Sequence, residues 1–390
     1  MTRPLKVLHV IGSLGMGGAE TWLMALLHHW STSGAVRMDF VATSGVRGIF
    51  DDEAVALGAR IHYLAFGRRQ LPQFVSAWRR VLRDGNYDAI HDHADYASGW
   101  HFLLGAGVLP GIRVTHVHNP WMHIEQNYAV SGARHLTAVA GKACVERLAT
   151  HVCGTSADVL MRYGFRSGST RAAVEVLHCG IDVASFNAPR EPDRESVRRE
   201  LGWPPDAKIV LFAGRLDRVM ELHHPRNHKN AWLALHIVKA ALASDPKLRL
   251  VMAGESDSLL AWRAQIARWN LSDALRIVGV RRDLPRLMRA ADALLFPSRQ
   301  EGLGMVAVEA QAAGLPVVAS SEVPRECVVV PGLYRSVALT APIESWSEAL
   351  LAALDAPRPP LAACRAAVEA SPFSLATSAR RLEALYASRK

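Results

Sequence analysis

Glu301 and Glu309, with seven residues between them, bracket a glycine loop in the segment Phe296-Pro297-Ser298-Arg299-Gln300-Glu301-Gly302-Leu303-Gly304-Met305. The apolar run before it reads as a strand ending near Phe296, and a helix opens near Met305. N–H groups at a helix start and in the loop before it lack helical partners, so they can receive phosphate oxygens. Two carboxylates in such a place repel a diphosphate. What they do well is accept hydrogen bonds from hydroxyls, one from a ribose and the other from a hexose. The residues alone leave a plainer role equally open, with one carboxylate at a helix start and one in solvent.

Other segments could also carry chemistry. Gly12-Ser13-Leu14-Gly15-Met16-Gly17-Gly18-Ala19-Glu20 follows the first apolar run. It is not the GxGxxG pattern, and Asp39 adds little support for an adenosine ribose site. Close-set glycines nevertheless let backbone approach a ligand at a helix start. Of the seventeen histidines, thirteen precede residue 190, which makes the first half the place to look for imidazole chemistry. His116 and His118 alternate on one strand end and share a face, with Val117 opposite. His91-Asp92-His93 ends another strand, and we expect Asp92 and His93 to face an acceptor. Trp121, Met122, His123 and Tyr128 follow the His118 strand and could stack on sugar rings. His223, His224 and His228 have no acidic or cysteine neighbour, so a flexible surface loop is expected there rather than a metal site.

These residues need a scaffold. Short branched runs at Lys6–Ile11, Met38–Ala42, Ile61–Leu64, Ala89–His91, Arg113–His118, His151–Gly154 and Val174–His178 read as buried strands. Helical stretches lie between several of them, at Ala19–Trp30, Leu71–Arg83 and Leu136–Leu148. A second series runs through strands Ile209–Ala213, Leu248–Ala253, Leu275–Val278, Ala293–Phe296 and Val317–Ala319. Its helices are Ala231–Ala243, Leu259–Trp269, Asp283–Ala291 and Met305–Ala313. Alternation of this kind argues α/β architecture with two mostly parallel, doubly wound sheets. We expect a Rossmann-like domain over 1–190, a second over 191–369 and a C-terminal helix over 370–390 that packs back on the first. The boundary is set at the polar Glu191-Pro192-Asp193-Arg194, and the ligand cleft is expected between the two domains.

Composition sets outer bounds. The chain has 390 residues, half of them hydrophobic, and a net charge of +9. Eighteen basic and fourteen acidic residues lie in the first 190 positions, so the excess is spread along the chain and does not single out nucleic acid. Five cysteines without a CxxC argue against a disulfide framework and for a reducing cytoplasm. No run of about 18 apolar residues is present, so no spanning helix is expected. Arg68, Arg69, Arg79, Arg80 and Arg83 leave peripheral contact with an anionic membrane open.

The pair Glu301 and Glu309, with EGLGMVAVEAQAAGLPVVAS around it, resembles the family-4 group of retaining glycosyltransferases, which have the GT-B fold of two Rossmann-like domains. The resemblance extends to VIGSLGMGGAE, VTHVHN, AGRL, GVRRDLPRLMRAADALLFPS and the C-terminal helix, and its style is closest to capsule and exopolysaccharide members. It implies that Glu309 holds the nucleotide ribose and Glu301 the donor sugar. The amides of Gly302, Leu303, Gly304 and Met305 then face sugar and phosphate, and Gly17 and Gly18 close on the phosphates. Arg215 and Lys229, the latter followed by Asn230, match the family's two cations. Such cations stabilise the charge that develops on a leaving nucleoside diphosphate. Arg281 joins the expected donor-binding set, and His118 matches a histidine near the reacting centre. The sequence departs from the family in placing Leu216 to His228 between the two cations, so this loop must fold out for Lys229 to reach the phosphates.

The resemblance implies a retaining transferase, working by a front-face route in which the leaving phosphate helps deprotonate the acceptor hydroxyl. The donor is a nucleoside-diphosphate sugar, most simply UDP-linked and a co-substrate, and no metal or other cofactor is expected. The acceptor is a saccharide or lipid-linked saccharide in surface-polysaccharide synthesis. Two alternatives are a small aminoglycoside-like acceptor and a non-catalytic sugar-nucleotide or glycan-binding protein. A cytoplasmic monomer or weak homodimer is expected, with no nucleic-acid partner.

Overall fold

The computed structural model describes residues 3–121, 132–168, 170–218, 220–222 and 224–388. They form two α/β units, one of residues up to 181 together with 375 onward, the other of residues 182–374.

The first unit holds seven parallel strands: β1 Leu5–Ile11, β2 Val36–Ala42, β3 Ile61–Tyr63, β4 Ala89–Asp92, β5 Ile112–Val117, β6 His151–Gly154 and β7 Ala173–Val176. Their order is β3-β2-β1-β4-β5-β6-β7. The second unit holds six: β8 Lys208–Ala213, β9 Leu248–Ala253, β10 Leu275–Gly279, β11 Ala293–Phe296, β12 Val317–Ser320 and β13 Tyr334–Val337. Their order is β10-β9-β8-β11-β12-β13. Parallel neighbours require crossovers, and the helices that make them bury the strands on both faces. That is why β4, β6, β11 and β12 are buried at every residue.

Strand order reverses between β1 and β4 in the first sheet and between β8 and β11 in the second. Chain leaving such a pair turns to opposite sides and opens a crevice at the strands' C-terminal ends. The first crevice receives the residues after β1, β4 and, beside it, β5. The second receives Gly214 onward after β8 and Pro297 to Glu301 after β11.

Every strand expected from the sequence forms, within a residue or two at each end. β13 was not foreseen; it is a four-residue edge strand that pairs only with β12. The expected boundary at Glu191 to Arg194 is corrected, because these residues lie in a helix, Arg190–Glu200, of the second unit. Pro192 is tolerated because it sits in the first turn, where its missing N–H has no helical acceptor to lose. The helix is tied to its unit by Arg198, which is 2% exposed and donates to Asp292 Oδ2 at 2.7 Å and to Ala207 O. Helix Leu375–Ala387 packs in the first unit. There Ser378 Oγ accepts from Trp22 Nε1 at 3.0 Å, and Glu383 accepts from Trp30 Nε1 at 2.7 Å. Among the described residues no helix is long and apolar enough to cross a membrane.

Candidate functional site

In the second unit the candidate residues converge at the β8–β11 crevice. Glu301 follows β11, and both of its carboxylate oxygens accept from Lys229 Nζ, at 2.7 and 2.9 Å. The Glu301 side chain is only 8% exposed while that of Lys229 keeps 34%, so the carboxylate end of the pair is the one shielded from water. Lys229 reaches it by lying across Gly214, where a Cβ would sit about 3.4 Å from the lysine stem. Behind Gly214, a Cβ on Gly254 would fall 2.0 Å from Gly214 O, so only glycine permits the close approach of the loops after β8 and β9.

The sequence between the two cations does not keep Lys229 away. Buried Asp217 accepts from Asn230 N at 3.0 Å, which closes the excursion on itself. Burial raises the Asp217 carboxyl above its usual range, and its bonds to Asn230 and Lys229 oppose that rise. Asn230 sits at φ 57°, one of the few non-glycine positions with a left-handed backbone, and opens helix Ala231–Ala241. Asn227 is fully buried and donates to Glu221 O, and His228 O accepts from Arg299 N at 2.8 Å. The expectation of a flexible surface loop is therefore corrected for Asn227 and His228, which side-chain and backbone bonds tie into the fold. His224 Nδ1 accepts from Arg226 N in a local turn, and His223 lies outside the described residues.

Helix Met305–Ala312 opens at Gly304, whose φ of 92° belongs to glycine. A Cβ there would also sit 2.9 Å from Val323 and 3.1 Å from Phe296. Among the described residues the N–H groups of Leu303, Gly304 and Met305 donate no hydrogen bond. Glu309 lies a turn further on, partly buried, and its carboxylate has no hydrogen-bond partner among the described residues. Burial alone pushes it up to about 7. Arg215 is exposed and makes no ion pair among the described residues. The group thus offers a free cation, a paired cation, open amides and an unsatisfied carboxyl. That set can hold an anion beside hydroxyls.

Arg281 is not free in the same way. Its guanidinium binds both oxygens of Asp283, at 2.7 and 2.8 Å, and Glu200 at 2.7 Å. Arg281, expected to serve the donor phosphates, thus spends three of its five N–H groups on carboxylates of its own unit.

In the first unit, Gly17 caps helix Gly18–Ser33 in an extended conformation. A Cβ on Gly17 would fall 2.3 Å from Glu20 Oε2, so the Glu20 carboxylate is folded back on the helix start. Burial raises its pKa. An anion at Gly17 and Gly18 would meet that carboxylate, a feature the sequence did not announce.

At the ends of β1, β4 and β5 the histidines gather. His9 Nδ1 lies 3.1 Å from His93 Nε2, and His93 Nδ1 lies 2.9 Å from His118 Nε2. His91 Nε2 lies 3.2 Å from His116 Nδ1. Burial lowers the pKa of all five, His9 to about 3 and His118 to about 4, so the rings are neutral near pH 7. The nitrogens of His9, His91 and His93, and those of His93, His116 and His118, come within 4.8 Å of one another, close enough for a metal ion. His9 was missed because a lone histidine in an apolar strand carries no signal of its neighbours across the sheet.

Asp92 was expected to face an acceptor. It is fully buried and bonds Ala94 N, Ser98 Oγ and His101 Nδ1, so its role is to shape the turn after β4. The residue that braces His118 is Asp95, which was not foreseen. Its two oxygens accept from His118 N at 2.8 Å and Asn119 Nδ2 at 2.9 Å. Burial raises its carboxyl to about 6. Trp121 packs edge-on against Tyr163, while Met122, His123 and Tyr128 lie outside the described residues. Arg79 donates through Nη1 to Leu104 O and Ala106 O.

Comparison with known proteins bears on both units. Residues 16–185 match the model of Glycosyltransferase Family 4, and residues 193–369 match that of Glycosyl transferases group 1. The EpsF glycosyltransferase of Bacillus subtilis is 29% identical over 359 residues, 91% of this chain and 89% of that one. The D-inositol 3-phosphate glycosyltransferase of Mycobacterium tuberculosis is 33% identical over 231 residues, which are 56% of this chain and 44% of that one. Among solved structures, Anabaena HepE in complex with UDP and glucose shares the fold with a TM-score of 0.74 at 20% identity, covering 99% of this chain and 100% of that one.

Proposed function

Because the chain belongs to glycosyltransferase family 4, with the group 1 transferase domain as its second half, we propose that it is a retaining enzyme that moves a hexose or N-acetylhexosamine from a UDP-linked sugar to a hydroxyl of a glycan or lipid-linked saccharide. Surface-polysaccharide assembly is the proposed setting, supported by the likeness to EpsF along most of both chains. HepE, which shares the fold, was crystallised with UDP and glucose, and this supports UDP as the nucleotide.

One observation carries the reading. Glu301, the open amides of residues 303–305 and Glu309 lie on consecutive turns of chain, and Lys229 reaches Glu301 from the loop that follows β8. In the proposed complex the diphosphate takes the amides together with Arg215 and Lys229. The ribose hydroxyls donate to Glu309, and the sugar hydroxyls donate to Glu301. As the bond to the sugar breaks, charge grows on the leaving phosphate, and fixed cations stabilise that state more than the ground state. No metal is assigned a part. The leaving phosphate is proposed to help take the acceptor proton on the same face, giving retention.

A screen of nucleotide sugars that monitors UDP release, followed by mass analysis of products on candidate saccharide acceptors, tests the proposal. Transfer with retained anomeric configuration is expected. A folded protein that neither binds nor turns over any nucleotide sugar would sink it.

A further inference from the structure

The hydrogen bonds among the five histidines fix where their protons sit. Each ring is neutral and carries one proton, so every bond between two rings needs a proton on one nitrogen and a lone pair on the other. His116 Nε2 lies 3.0 Å from Leu177 O, which can only accept. His116 is therefore protonated on Nε2, and its Nδ1 accepts from His91 Nε2–H. His91 Nδ1 is left to accept from the Tyr386 hydroxyl at 2.5 Å. This chain runs one way from end to end.

The second chain, His9–His93–His118, has two self-consistent states. Either all three rings carry the proton on Nδ1, or all three carry it on Nε2; any mixture puts two protons or two lone pairs into one bond. The far end decides between them. His9 Nε2 is fully buried and has no hydrogen-bond partner among the described residues. If it were protonated, an N–H would be orphaned in the core, and buried N–H groups left without an acceptor are rare in native proteins. An unpaired lone pair there is the lesser cost, because a neutral imidazole nitrogen loses less than an unpaired N–H. The Nδ1–H state follows, and it leaves Nδ1–H of His118 as the free end. His118 is the only partly exposed ring of the three, and its Nδ1 has no partner among the described residues.

We propose that His9 and His93 are positioning residues that lock His118 as its Nδ1–H tautomer, so that it presents a fixed hydrogen-bond donor to a substrate oxygen and cannot serve as a base. The proposal rests on the transferase reading only for the identity of the substrate. In this arrangement the acceptor nitrogens of His93, His116 and His118 each take a hydrogen bond, so a metal there would have to displace all three.

The test labels the histidines of the full chain with 15N and reads each ring by long-range proton–nitrogen correlation, which separates Nδ1–H from Nε2–H. The variants His118→Asn and His9→Phe assign the ends. His9, His93 and His118 are expected as Nδ1–H, with His91 and His116 as Nε2–H in the same spectrum. An Nε2–H signal at His118, or joint shifts of His93, His116 and His118 on adding zinc chloride, overturns the proposal. Turnover gives an independent arm. The amide N–H of Asn takes the place of Nδ1–H, and that of Gln takes the place of Nε2–H. His118→Asn should keep at least about tenfold more activity than His118→Gln, the worth of one hydrogen bond to a charged or polar partner. The reverse order overturns the proposal. The spectra need no turnover, so an inactive protein with these tautomers would defeat the transferase reading and leave this one standing.

Discussion

Lys229 Nζ holds both oxygens of Glu301, at 2.7 and 2.9 Å. The pair joins a residue before the helix Ala231–Ala241 to one before the helix Met305–Ala312, and so couples the two loops that frame the proposed donor site. Removing one partner leaves the other charged and largely buried. Lys229→Met should lower kcat by about a hundredfold or more, the scale seen when one preorganised group at developing charge is lost. Steady-state kinetics with the donor found by screening checks this, and thermal melting should show loss of stability in the same variant.

Arg215 is the exposed cation with no ion pair among the described residues, so its removal leaves no orphaned partner. Arg215→Ala is expected to melt like the wild type yet lose the most turnover of any single cation variant, by about a hundred- to a thousandfold. Wild-type turnover would remove it from the mechanism.

Glu309 gives a prediction with a definite sign in pH. Burial raises its folded pKa from the ordinary 4.5 to about 7. The stability it contributes is therefore fully present below about 4.5 and is lost as pH rises through about 7. Glu309→Gln should match the wild type in melting temperature near pH 4.5 and exceed it at pH 8. Nucleotide affinity should move the other way. Ribose hydroxyls favour the ionised carboxyl, so UDP should bind the wild type more tightly as pH rises through 7, and Glu309→Gln should show no such rise. Titration calorimetry at several pH values decides the point.

Asp95 holds the backbone of His118 and the side chain of Asn119. Asp95→Ala removes both acceptors and should cost about 1–3 kcal/mol of stability, together with activity. Asp95→Asn keeps one acceptor oxygen and tolerates the left-handed backbone at φ 49°, so it should fall between the two. Denaturant unfolding measures the order.

What could be read from the sequence was local or carried by spacing. Strand and helix alternation reported both sheets, because fully buried parallel strands are continuous apolar runs. The Glu301–Glu309 spacing across a glycine loop marked the helix start. What escaped was set by partners far along the chain. Asp92 and Asp95 are alike in sequence, yet one is consumed by Ser98 and His101 and the other braces His118. Arg281 looks as available as Arg215 until Glu200, more than eighty residues earlier, is found on it. His9 joins His93 only because β1 and β4 are neighbours at the point where strand order reverses. The chain around Pro192 has the composition of a linker, but Arg198 on the same helix carries a buried ion pair with Asp292.

The most direct test is a crystal structure of the full chain with UDP. The account predicts ribose hydroxyls on Glu309 and diphosphate oxygens on the amides of residues 303–305, with Arg215 and Lys229 closing over them. UDP bound away from residues 301–309, or its phosphates turned toward neither cation, would contradict it.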